Sequence, residues 1–532
     1  MKNFAELYAA LDQTTKTNAK IAALKRYFQA AQPEDTAWAV SFLIGRRPKR
    51  LLESRKLAQW AVEEAGVSEW LFGECYHAVG DFAETIALLL PPSAASTDLP
   101  FHYWIEERLL PMRTADDDAR RRWLLEAWRA MDEPQRFAWN KLLTGEFRVG
   151  VSQSLVVRAL AEVSGAAQEA IAHRLMGEWQ PTRDFWRGLI APEGGPASEA
   201  DIARPYPFCL AYPLEGQIED LGDIRAWQVE WKWDGIRAQL IRRGLRTFLW
   251  SRGEELITDR FPEVEAVGEL LPDGTVIDGE VLPWNYGTPA GEPLPFTQMQ
   301  RRIGRKVLGQ RILAEVPVVL IAFDLLESSG RDVRGEPLEW RRTQLETITP
   351  PESALVVSPL IRAGSWEELK ELRNESRRRK VEGFMLKRLG SPYRVGRRRG
   401  DWWKWKIEPY SVDAVLIYAQ PGNGRRASLF TDYTFGIWDN GQLVPFAKAY
   451  SGLSDEEIRE VDAFVRRNTI EKYGPIHRVK PALVFELAFE AIQRSSRHRS
   501  GIAVRFPRMA RWRHDKKAEE ADSIDTIRAL LA

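Results

Sequence analysis

Lysines alternate with tryptophans in two short segments of the chain. In QVEWKWDGIR, Glu230, Lys232 and Asp234 fall on one side of a predicted strand, because strand side chains alternate between its two faces. In DWWKWKIE, Lys404 and Lys406 share one face in the same way. Adjacent ammonium groups repel each other unless an anion lies between them. The second segment therefore indicates an anion site, and its alternative is a solvated basic edge strand.

Other predicted strands also carry charged side chains that could bind a ligand or a metal ion. In TVIDGEVL, Asp278 and Glu280 share a face and can hold a hard divalent cation through oxygen, unless Asp278 begins a hairpin turn. Glu382 and Lys387 lie in VEGFMLKR, where an ordinary exposed strand end is the alternative. Arg237 adds a planar cationic fork suited to phosphate or carboxylate. These residues could therefore bind a phosphate or a carboxylate together with a divalent cation.

Short strands must position these residues. The pattern predicts strands over residues 229–234, 245–251, 275–282, 318–325 and 383–388, with a helix over 366–379. After Pro409 it predicts strands over 412–419, 433–439 and 443–449, with Asn440-Gly441 as a hairpin turn. Ser454 and Glu457 form a capping-box pattern that opens a helix.

The first third of the chain has a different pattern. From residue 1 to about residue 186, apolar residues recur at three- and four-residue spacing, as at Leu57, Trp60 and Ala61, which predicts helices. Residues 191–207 concentrate Gly and Pro and predict an interdomain linker. A domain boundary near residue 200 follows.

Composition excludes several classes of protein. A chain of 532 residues is too long for one hydrophobic core, so its length predicts about three domains. The content of 44% hydrophobic and 28% charged residues argues against a disordered or a fibrous protein. Cys75 and Cys209 are the two cysteines, so the chain has neither a disulfide framework nor a cysteine-rich zinc module. The apolar runs are too short to span a bilayer. We expect a cytoplasmic protein without a membrane span.

The order of the segments resembles the signature of the covalent nucleotidyltransferases, which include ligases and mRNA capping enzymes. The matching segments are Lys232-Trp233-Asp234-Gly235-Ile236-Arg237, Ser251-Arg252-Gly253, Asp278-Gly279-Glu280, Phe323-Asp324-Leu325, Glu382-Gly383 and Lys404-Trp405-Lys406. Arg513, Asp515 and Lys516 in the tail RFPRMARWRHDKK resemble the last motif of the ATP-dependent DNA ligases. The resemblance is strongest over residues 207–406.

The resemblance implies that Lys232 attacks the α-phosphate of ATP, forms a lysyl-AMP phosphoramidate and releases pyrophosphate. The attacking amine must be neutral, a state that burial and the neighbouring Lys404 and Lys406 favour. Glu280 and Glu382 are implied to hold Mg²⁺. The residues implied to bind the nucleotide are Glu230, Asp234, Arg237, Arg252, Glu280, Phe323, Met385, Lys387, Arg513 and Lys516.

Individual roles within the nucleotide site also follow from the resemblance. Glu230 is implied to read the adenine, which Phe323 and Met385 contact on its two faces. Arg237 and Arg252 are implied to bind ribose and phosphate oxygens, and Lys387 joins them. The tail is implied to close over the site, where Arg513 and Lys516 orient the pyrophosphate; a hinge after Lys406 permits this closure.

DNA contacts are implied in the helical third. LLTGEFRVGVSQSLV, residues 142–156, is similar to a segment of the DNA-binding domain of larger ligases. Gly145 and Gly150 can bring backbone amides close to phosphates, and Arg148 adds a charged contact; an ordinary helix-loop-helix corner is the alternative. The run Arg377–Lys380 belongs either to a basic patch or to a solvated helix face.

The sequence therefore predicts a multi-domain α+β protein: an all-α DNA-binding domain (1–200), an α/β nucleotidyltransferase domain (201–408) and an OB-fold β-barrel (409–532). We expect a monomeric ATP-dependent DNA ligase that seals nicked double-stranded DNA. An RNA ligase or capping enzyme and a non-catalytic nucleic-acid-binding scaffold are the alternatives. An NAD-dependent ligase is disfavoured, because the cysteine count leaves no zinc module.

Overall fold

A computed structural model describes most of the chain. The described residues are 1–46, 51–93, 95–145, 147, 149–191, 202–287, 291–303, 305, 308–351, 353–422 and 428–531. They form a helical N-terminal region, a central region of sheets and helices, and a C-terminal β region. The predicted multi-domain α+β fold class is confirmed.

Helices make up the N-terminal region, as predicted. Leu57, Trp60 and Ala61 are the buried residues of α4, so their spacing marks its inward face. The helix α9 begins at a capping box between Asp132 and Gln135. The helices are α1 (Lys2–Asp12), α2 (Thr17–Ala30), α3 (Pro33–Leu43), α4 (Ser54–Ala65), α5 (Glu69–Val79), α6 (Phe82–Leu89), α7 (Phe101–Tyr103), α8 (Asp117–Ala130), α9 (Glu133–Thr144), α10 (Gln153–Ser164), α11 (Gln168–Arg174) and α12 (Arg183–Ile190).

Two larger sheets build the central region. One has the order β10-β8-β6-β4-β5, with β7 on β6 and β9 on β8; the other has the order β2-β13-β11-β3. The strands are β1 (Cys209–Leu210), β2 (Tyr212–Pro213), β3 (Trp227–Trp231), β4 (Ile236–Arg243), β5 (Arg246–Ser251), β6 (Thr275–Asn285), β7 (Glu292–Pro293), β8 (Val318–Ser328), β9 (Arg331–Asp332), β10 (Leu355–Val357), β11 (Gly383–Arg388), β12 (Gly396–Arg397) and β13 (Trp402–Lys406). The helices are α13 (Pro262–Leu270), α14 (Phe296–Ile303), α15 (Gln310–Glu315), α16 (Leu338–Ile348) and α17 (Trp366–Arg373).

The described part of the C-terminal region holds a seven-stranded antiparallel sheet, a two-stranded sheet of β20 and β21, and two α-helices. The long strand β14 pairs with β15 on one side and with β18 and β19 on the other, and apolar side chains such as Phe435 and Phe485 fill the core. The elements are β14 (Tyr410–Pro421), β15 (Phe430–Asp439), β16 (Gln442–Ala449), α18 (Asp455–Asn468), β17 (Thr469–Tyr473), β18 (Ile476–Val479), β19 (Val484–Phe489), β20 (Ala491–Arg494), β21 (Ile502–Arg505), β22 (Arg508–Trp512) and α19 (Ile524–Ala529).

Local signals in this region are confirmed. Asn440 and Gly441 both have positive φ, 48° and 77°, and join β15 to β16 as the predicted hairpin turn. Ser454 and Glu457 form the predicted capping box at the start of α18.

One helix prediction is wrong in part. The pattern predicts a helix over 366–379, but α17 ends at Arg373 and the chain then turns. Lys380 has a positive φ of 58°, which a helix does not allow. The basic run Arg377–Lys380 therefore lies in turns and not on a helix face. Residues 192–201 of the predicted linker lie outside the described residues.

Two compact units divide the chain. The first comprises Met1–Gln13, Gly45–Val149 and Glu408–Ala532, and the second comprises Thr14–Ile44 and Gly150–Ile407. The first unit holds most N-terminal helices and the C-terminal β region; the second holds α2, α3, α10, α11, α12 and the central region. The boundaries 1–200, 201–408 and 409–532 stay predictions.

Across the described residues, no helix combines the length and the apolar character needed to cross a membrane.

Candidate active site

Three neighbouring strands carry the predicted lysines. The strand β11 lies between β3 and β13, with Met385 opposite Glu230 on one side and Lys404 on the other. The pairing continues to the ends of β3 and β13, where Lys232 and Lys406 lie. Because side chains two residues apart share a strand face, these five residues lie on one face of the sheet, which we call the lysine-bearing face.

Glu382 joins Lys232 to Lys406. One carboxylate oxygen of Glu382 accepts a short hydrogen bond from Lys232 Nζ and lies 3.4 Å from Lys406 Nζ. Burial alone would raise the pKa of Glu382, but the charges of Lys232 and Lys406 hold it below its usual value. An ionised carboxylate therefore fixes the candidate nucleophile beside one of its assisting lysines.

Gly383 permits the close approach of β11 to β13. Its φ is +121°, and a Cβ at this position would collide with the carbonyl oxygen of Trp405. The site therefore requires glycine between the strands that carry Lys232 and Lys406.

Positive charge accumulates around Lys404. Partial burial lowers the pKa of Lys404, and the nearby charges of Arg397, Lys232 and Lys406 lower it further. A cluster of cations this dense suits a polyphosphate, which would relieve their mutual repulsion. Arg397 also lies 5.7 Å from the ring of Tyr212. No role was assigned to Arg397 from the sequence.

Glu280, on β6, contacts the turn that follows Lys232. Its Oε1 accepts a hydrogen bond of 3.1 Å from the backbone N–H of Gly235. Burial raises the pKa of Glu280 to about 7, although the charges of Lys232 and Arg237 oppose the rise. A bound cation would favour the ionised carboxylate.

Asp278 does not form a cation site with Glu280, contrary to the expectation from the sequence. The sequence suggested that it pairs with Glu280 to hold a cation, but Asp278 is fully buried within the continuous strand β6. Arg237 donates to both its oxygens, at 3.2 and 2.7 Å, and the Tyr393 hydroxyl donates at 2.6 Å. Burial alone would lower the pKa of Arg237, but the neighbouring Asp278 carboxylate outweighs burial, so the pKa lies above its usual value. Asp278 therefore orients Arg237 and is not available as a metal ligand.

Lys387 also lies elsewhere than expected. The sequence grouped it with residues that bind ribose and phosphate, but its side chain is 1% exposed and lies 2.9 Å from Glu230 Oε1. Lys387 Nζ also donates to the carbonyl oxygen of Phe323 at 3.3 Å, and Gln228 donates to Glu230 at 2.5 Å. Lys387 is therefore a partner of the predicted adenine-reading carboxylate.

An aromatic cluster borders this pair. Phe323, Trp402 and the half-buried Met385 pack in one apolar cluster. Lys387 Nζ lies 4.3 Å from the Phe323 ring centroid and 4.5 Å from that of Trp402. The predicted base-binding residues Glu230, Phe323 and Met385 are thus brought together.

Asp234 and Arg252 flank the site on turns. Asp234 is half-buried beside Gly235, in the turn that follows Lys232. Arg252 has an exposed side chain, and its backbone N–H donates to the carbonyl oxygen of Arg237 at 2.8 Å. Both positions leave the side chains accessible from solvent.

Arg513 and Lys516 lie in the C-terminal β region, after β22. Arg513 Nη1 lies 2.7 Å and Lys516 Nζ 2.6 Å from the same oxygen of Asp413. The predicted tail cations therefore form one cluster around a buried carboxylate.

The predicted DNA-binding loop joins α9 to α10. Gly145 ends α9 with a φ of 71°, and Gly150 has a φ of 59°. Lys20, on α2, is buried and donates to the carbonyl oxygen of Gly150 at 2.9 Å. Arg148 lies outside the described residues.

The acidic residues fit a hard cation with few protein ligands. Within the described ranges, no group of three or more His, Cys, Asp and Glu side chains is arranged to hold a metal ion. Glu280 and Glu382 both lie near Lys232 and offer carboxylate oxygens. Mg²⁺ is commonly held by one or two carboxylates together with substrate phosphates, so this donor set fits it.

Sequence reasoning missed four supporting residues: Tyr393, Gln228, Lys20 and Asp413. The partners of Tyr393, Lys20 and Asp413 lie on distant segments, so no local spacing marks these three residues. Gln228 lies two residues before its partner Glu230 on the same strand face, so strand alternation could have marked it. Tyr393 lies in sequence between the segments of Glu382 and Lys404. An aromatic residue between two charged strands is a signal that could have pointed to it.

Three family models match the chain. The model described as DNA ligase N terminus matches residues 1–161, the ATP dependent DNA ligase domain matches 209–406, and the ATP dependent DNA ligase C terminal region matches 426–516. The central match contains every residue of the lysine-bearing face.

Curated relatives match over almost the whole chain. A probable DNA ligase of Koribacter versatilis is 32% identical, covering 99% of this chain and 95% of its own length. DNA ligase 1 of Korarchaeum cryptofilum is 30% identical, covering 100% and 98%. A solved structure described as Pmar-Lig_PreS3 has a TM-score of 0.61 at 17% identity, covering 96% of this chain and 99% of that one, which indicates a shared fold.

Proposed function

The chain belongs to the ATP-dependent DNA ligase family, and on that premise we propose that Lys232 is the amine that carries AMP during nick sealing. The protein is an enzyme that uses ATP and Mg²⁺ to join nicked DNA through a lysyl-AMP intermediate. One observation carries the assignment of Lys232: its amine is held by Glu382 on the face that also bears Lys404 and Lys406.

In the first step the Lys232 nitrogen bonds to the α-phosphorus of ATP, and the bond to the bridging oxygen breaks. Glu382 orients the amine and is the nearest acceptor for its proton. Lys404 and Lys406 stabilise negative charge on the transferring phosphate. Glu280 and Glu382 would hold Mg²⁺, which neutralises phosphate charge when bound.

The base end of the site is proposed to select adenine. Glu230 reads the base edge, Phe323 and Met385 contact its faces, and Lys387 keeps Glu230 in place. Asp234, Arg237 and Arg252 are proposed to border the ribose and the α-phosphate. Asp278 supports this by holding the guanidinium of Arg237 in a fixed plane.

The leaving group is proposed to meet Arg513 and Lys516. They would orient the pyrophosphate after the C-terminal β region closes over the nucleotide. The proposed domains are 1–200, 201–408 and 409–532, with the hinge after Lys406.

The later steps require DNA. AMP passes from Lys232 to the 5′-phosphate of the nick, and the 3′-hydroxyl then attacks that phosphate and releases AMP. Gly145, Arg148 and Gly150 are proposed to contact the DNA backbone; in support, Gly145 and Gly150 have the positive φ of turns, in which a backbone N–H can approach a phosphate. We also propose a monomer in a reducing, cytoplasmic compartment, in keeping with the free Cys75 and Cys209.

Covalent labelling tests the assignment of Lys232. The full-length protein is incubated with α-labelled ATP and Mg²⁺ and then denatured, and label on the chain is measured. We expect label on the wild type and on the control Lys370→Ala, whose lysine pairs with Glu219 and Glu367 on the surface. Lys232→Ala should carry none. Label retained on Lys232→Ala would refute the assignment.

A further inference from the structure

A buried carboxylate in the C-terminal β region binds both tail cations. Asp413, on β14, has an 8% exposed side chain and lies far from Arg513 and Lys516 in sequence. Its Oδ2 lies 2.7 Å from Arg513 Nη1 and 2.6 Å from Lys516 Nζ. Within the described part of the chain, the other oxygen, Oδ1, is buried without a hydrogen-bond partner. Two cations therefore converge on a single oxygen.

A second carboxylate fixes the plane of the guanidinium. Arg513 Nε donates to Asp515 Oδ1 at 2.9 Å, and Nη2 donates to Asp515 Oδ2 at 2.7 Å. Asp515, followed by Asp413, raises the pKa of Arg513. Arg513 is thus held by carboxylates on two sides and has little freedom to rotate.

Donors nevertheless remain for an anion. A guanidinium has five N–H groups and an ammonium has three. Among the described residues, Arg513 uses three of its groups on Asp413 and Asp515, and Lys516 uses one on Asp413. These bonds leave two N–H groups on each side chain for another acceptor, and both side chains are anchored at the same oxygen of Asp413.

Backbone hydrogen bonds, and not the side chain, hold β14 in place at Asp413. The backbone N–H of Asp413 donates to Asp522 Oδ2 at 2.8 Å, and its carbonyl oxygen accepts from the Asp522 N–H at 2.9 Å. Both bonds survive a change of the Asp413 side chain. The carboxylate can therefore be altered while the backbone contacts stay in place.

We infer that Asp413 is a positioning residue that holds Arg513 and Lys516 together as one binding unit for the pyrophosphate leaving group. Without its negative charge the two cations repel each other and separate. The inference rests on the proposed role of Arg513 and Lys516 in the first step. The second and third steps release no pyrophosphate, so Asp413 should matter little in them.

Step-resolved kinetics of the full-length protein test the inference. Asp413→Asn removes the charge and keeps the shape. We expect enzyme adenylation to slow on the order of tenfold to a hundredfold, since small displacements of binding groups cost this much. The pyrophosphate concentration needed to reverse adenylation should rise in parallel. Sealing of a pre-adenylated nick, which needs no ATP, should stay within about twofold of wild type.

Four further variants complete the test. Asp413→Glu keeps the charge and should recover part of the adenylation rate. Asp525→Asn, an exposed carboxylate on α19, should behave as wild type. Arg513→Ala and Lys516→Ala should each slow adenylation.

The outcomes separate the inference from the proposed function. Normal adenylation in Asp413→Asn, while Arg513→Ala and Lys516→Ala are slow, would overturn the inference alone. Equal loss of adenylation and of pre-adenylated nick sealing would indicate a structural role and would also overturn it. Normal adenylation in Arg513→Ala and Lys516→Ala would overturn both the proposed tail role and the inference.

Discussion

Single charges decide how the lysine-bearing face works. Lys232, Lys404, Lys406 and Arg397 concentrate positive charge, and Glu382 is the carboxylate bound to two of these lysines. Glu382 holds the amine of Lys232, which is proposed to attack ATP, and Lys404 is proposed to contact the phosphate. Removing Glu382 should therefore affect chemistry more than folding.

Glu382→Gln should slow adenylation on the order of a hundredfold or more, because the amine loses its orienting carboxylate. The measurement is single-turnover adenylation with ATP and Mg²⁺. Glu375→Gln is the matched control, since Glu375 pairs with Arg378 and Arg379 on the surface. Equal rates for the two variants would contradict the role given to Glu382.

Lys387→Met should destabilise the protein by about 3–5 kcal/mol, because it leaves the buried Glu230 carboxylate without its cation. The double variant Glu230→Gln with Lys387→Met should regain most of that stability but should bind ATP weakly. Urea unfolding of the single and double variants measures the coupling. Strictly additive losses would mean that the two residues do not act as a pair.

At the scale of elements, strand register brings the site together. The strand β11 contributes Gly383 and Met385, with Glu382 directly before it, between the two strands that carry the lysines at or beside their ends. A shift of one residue would turn each side chain to the opposite face. The packing of β11 against β13 is therefore as important as any one side chain.

Gly383→Ala should destabilise the protein by at least about 2 kcal/mol, because the residue has a φ of +121° and a Cβ would strike the Trp405 carbonyl. Adenylation should fall as Lys232 and Lys406 move apart. Gly390→Ala is the control, since no atom lies within 4 Å of its added Cβ. Thermal unfolding and adenylation are measured together, and an unchanged Gly383→Ala would contradict the packing argument.

At the scale of the whole molecule, the residues proposed for adenylation and those proposed for DNA binding lie in different parts of the chain. The net charge of +1 provides no general attraction for DNA, so binding depends on local surfaces. One such surface is proposed at the loop after α9, where Lys20 holds Gly150.

Lys20→Met should weaken binding of the adenylated protein to nicked duplex by up to roughly tenfold, because the loop loses the intramolecular hydrogen bond that holds the Gly150 carbonyl and must be ordered when DNA binds. Adenylation without DNA should not change. Lys25→Met is the comparison, because Lys25 pairs with Glu162 and not with the loop. Equal weakening in the two variants would assign the effect to charge alone and not to the loop.

Local patterns in the sequence determined the helical N-terminal third, most strands, the hairpin at Asn440-Gly441 and the shared face of Lys404 and Lys406. These features depend on residues close in the chain, because strand alternation and helix periodicity are local properties. The helix predicted over 366–379 ends at Arg373, and turns follow it through Lys380.

Only the tertiary structure decided which charge pairs with which. Asp278 and Glu280 look equivalent in TVIDGEVL, but Arg237 and Tyr393 bind Asp278, while Glu280 stays near Lys232. Lys387 pairs with Glu230 because β11 lies beside β3. The strength of an ion pair depends on the distance between the charges and on their burial. Both are determined by the packing of strands that are far apart in the sequence.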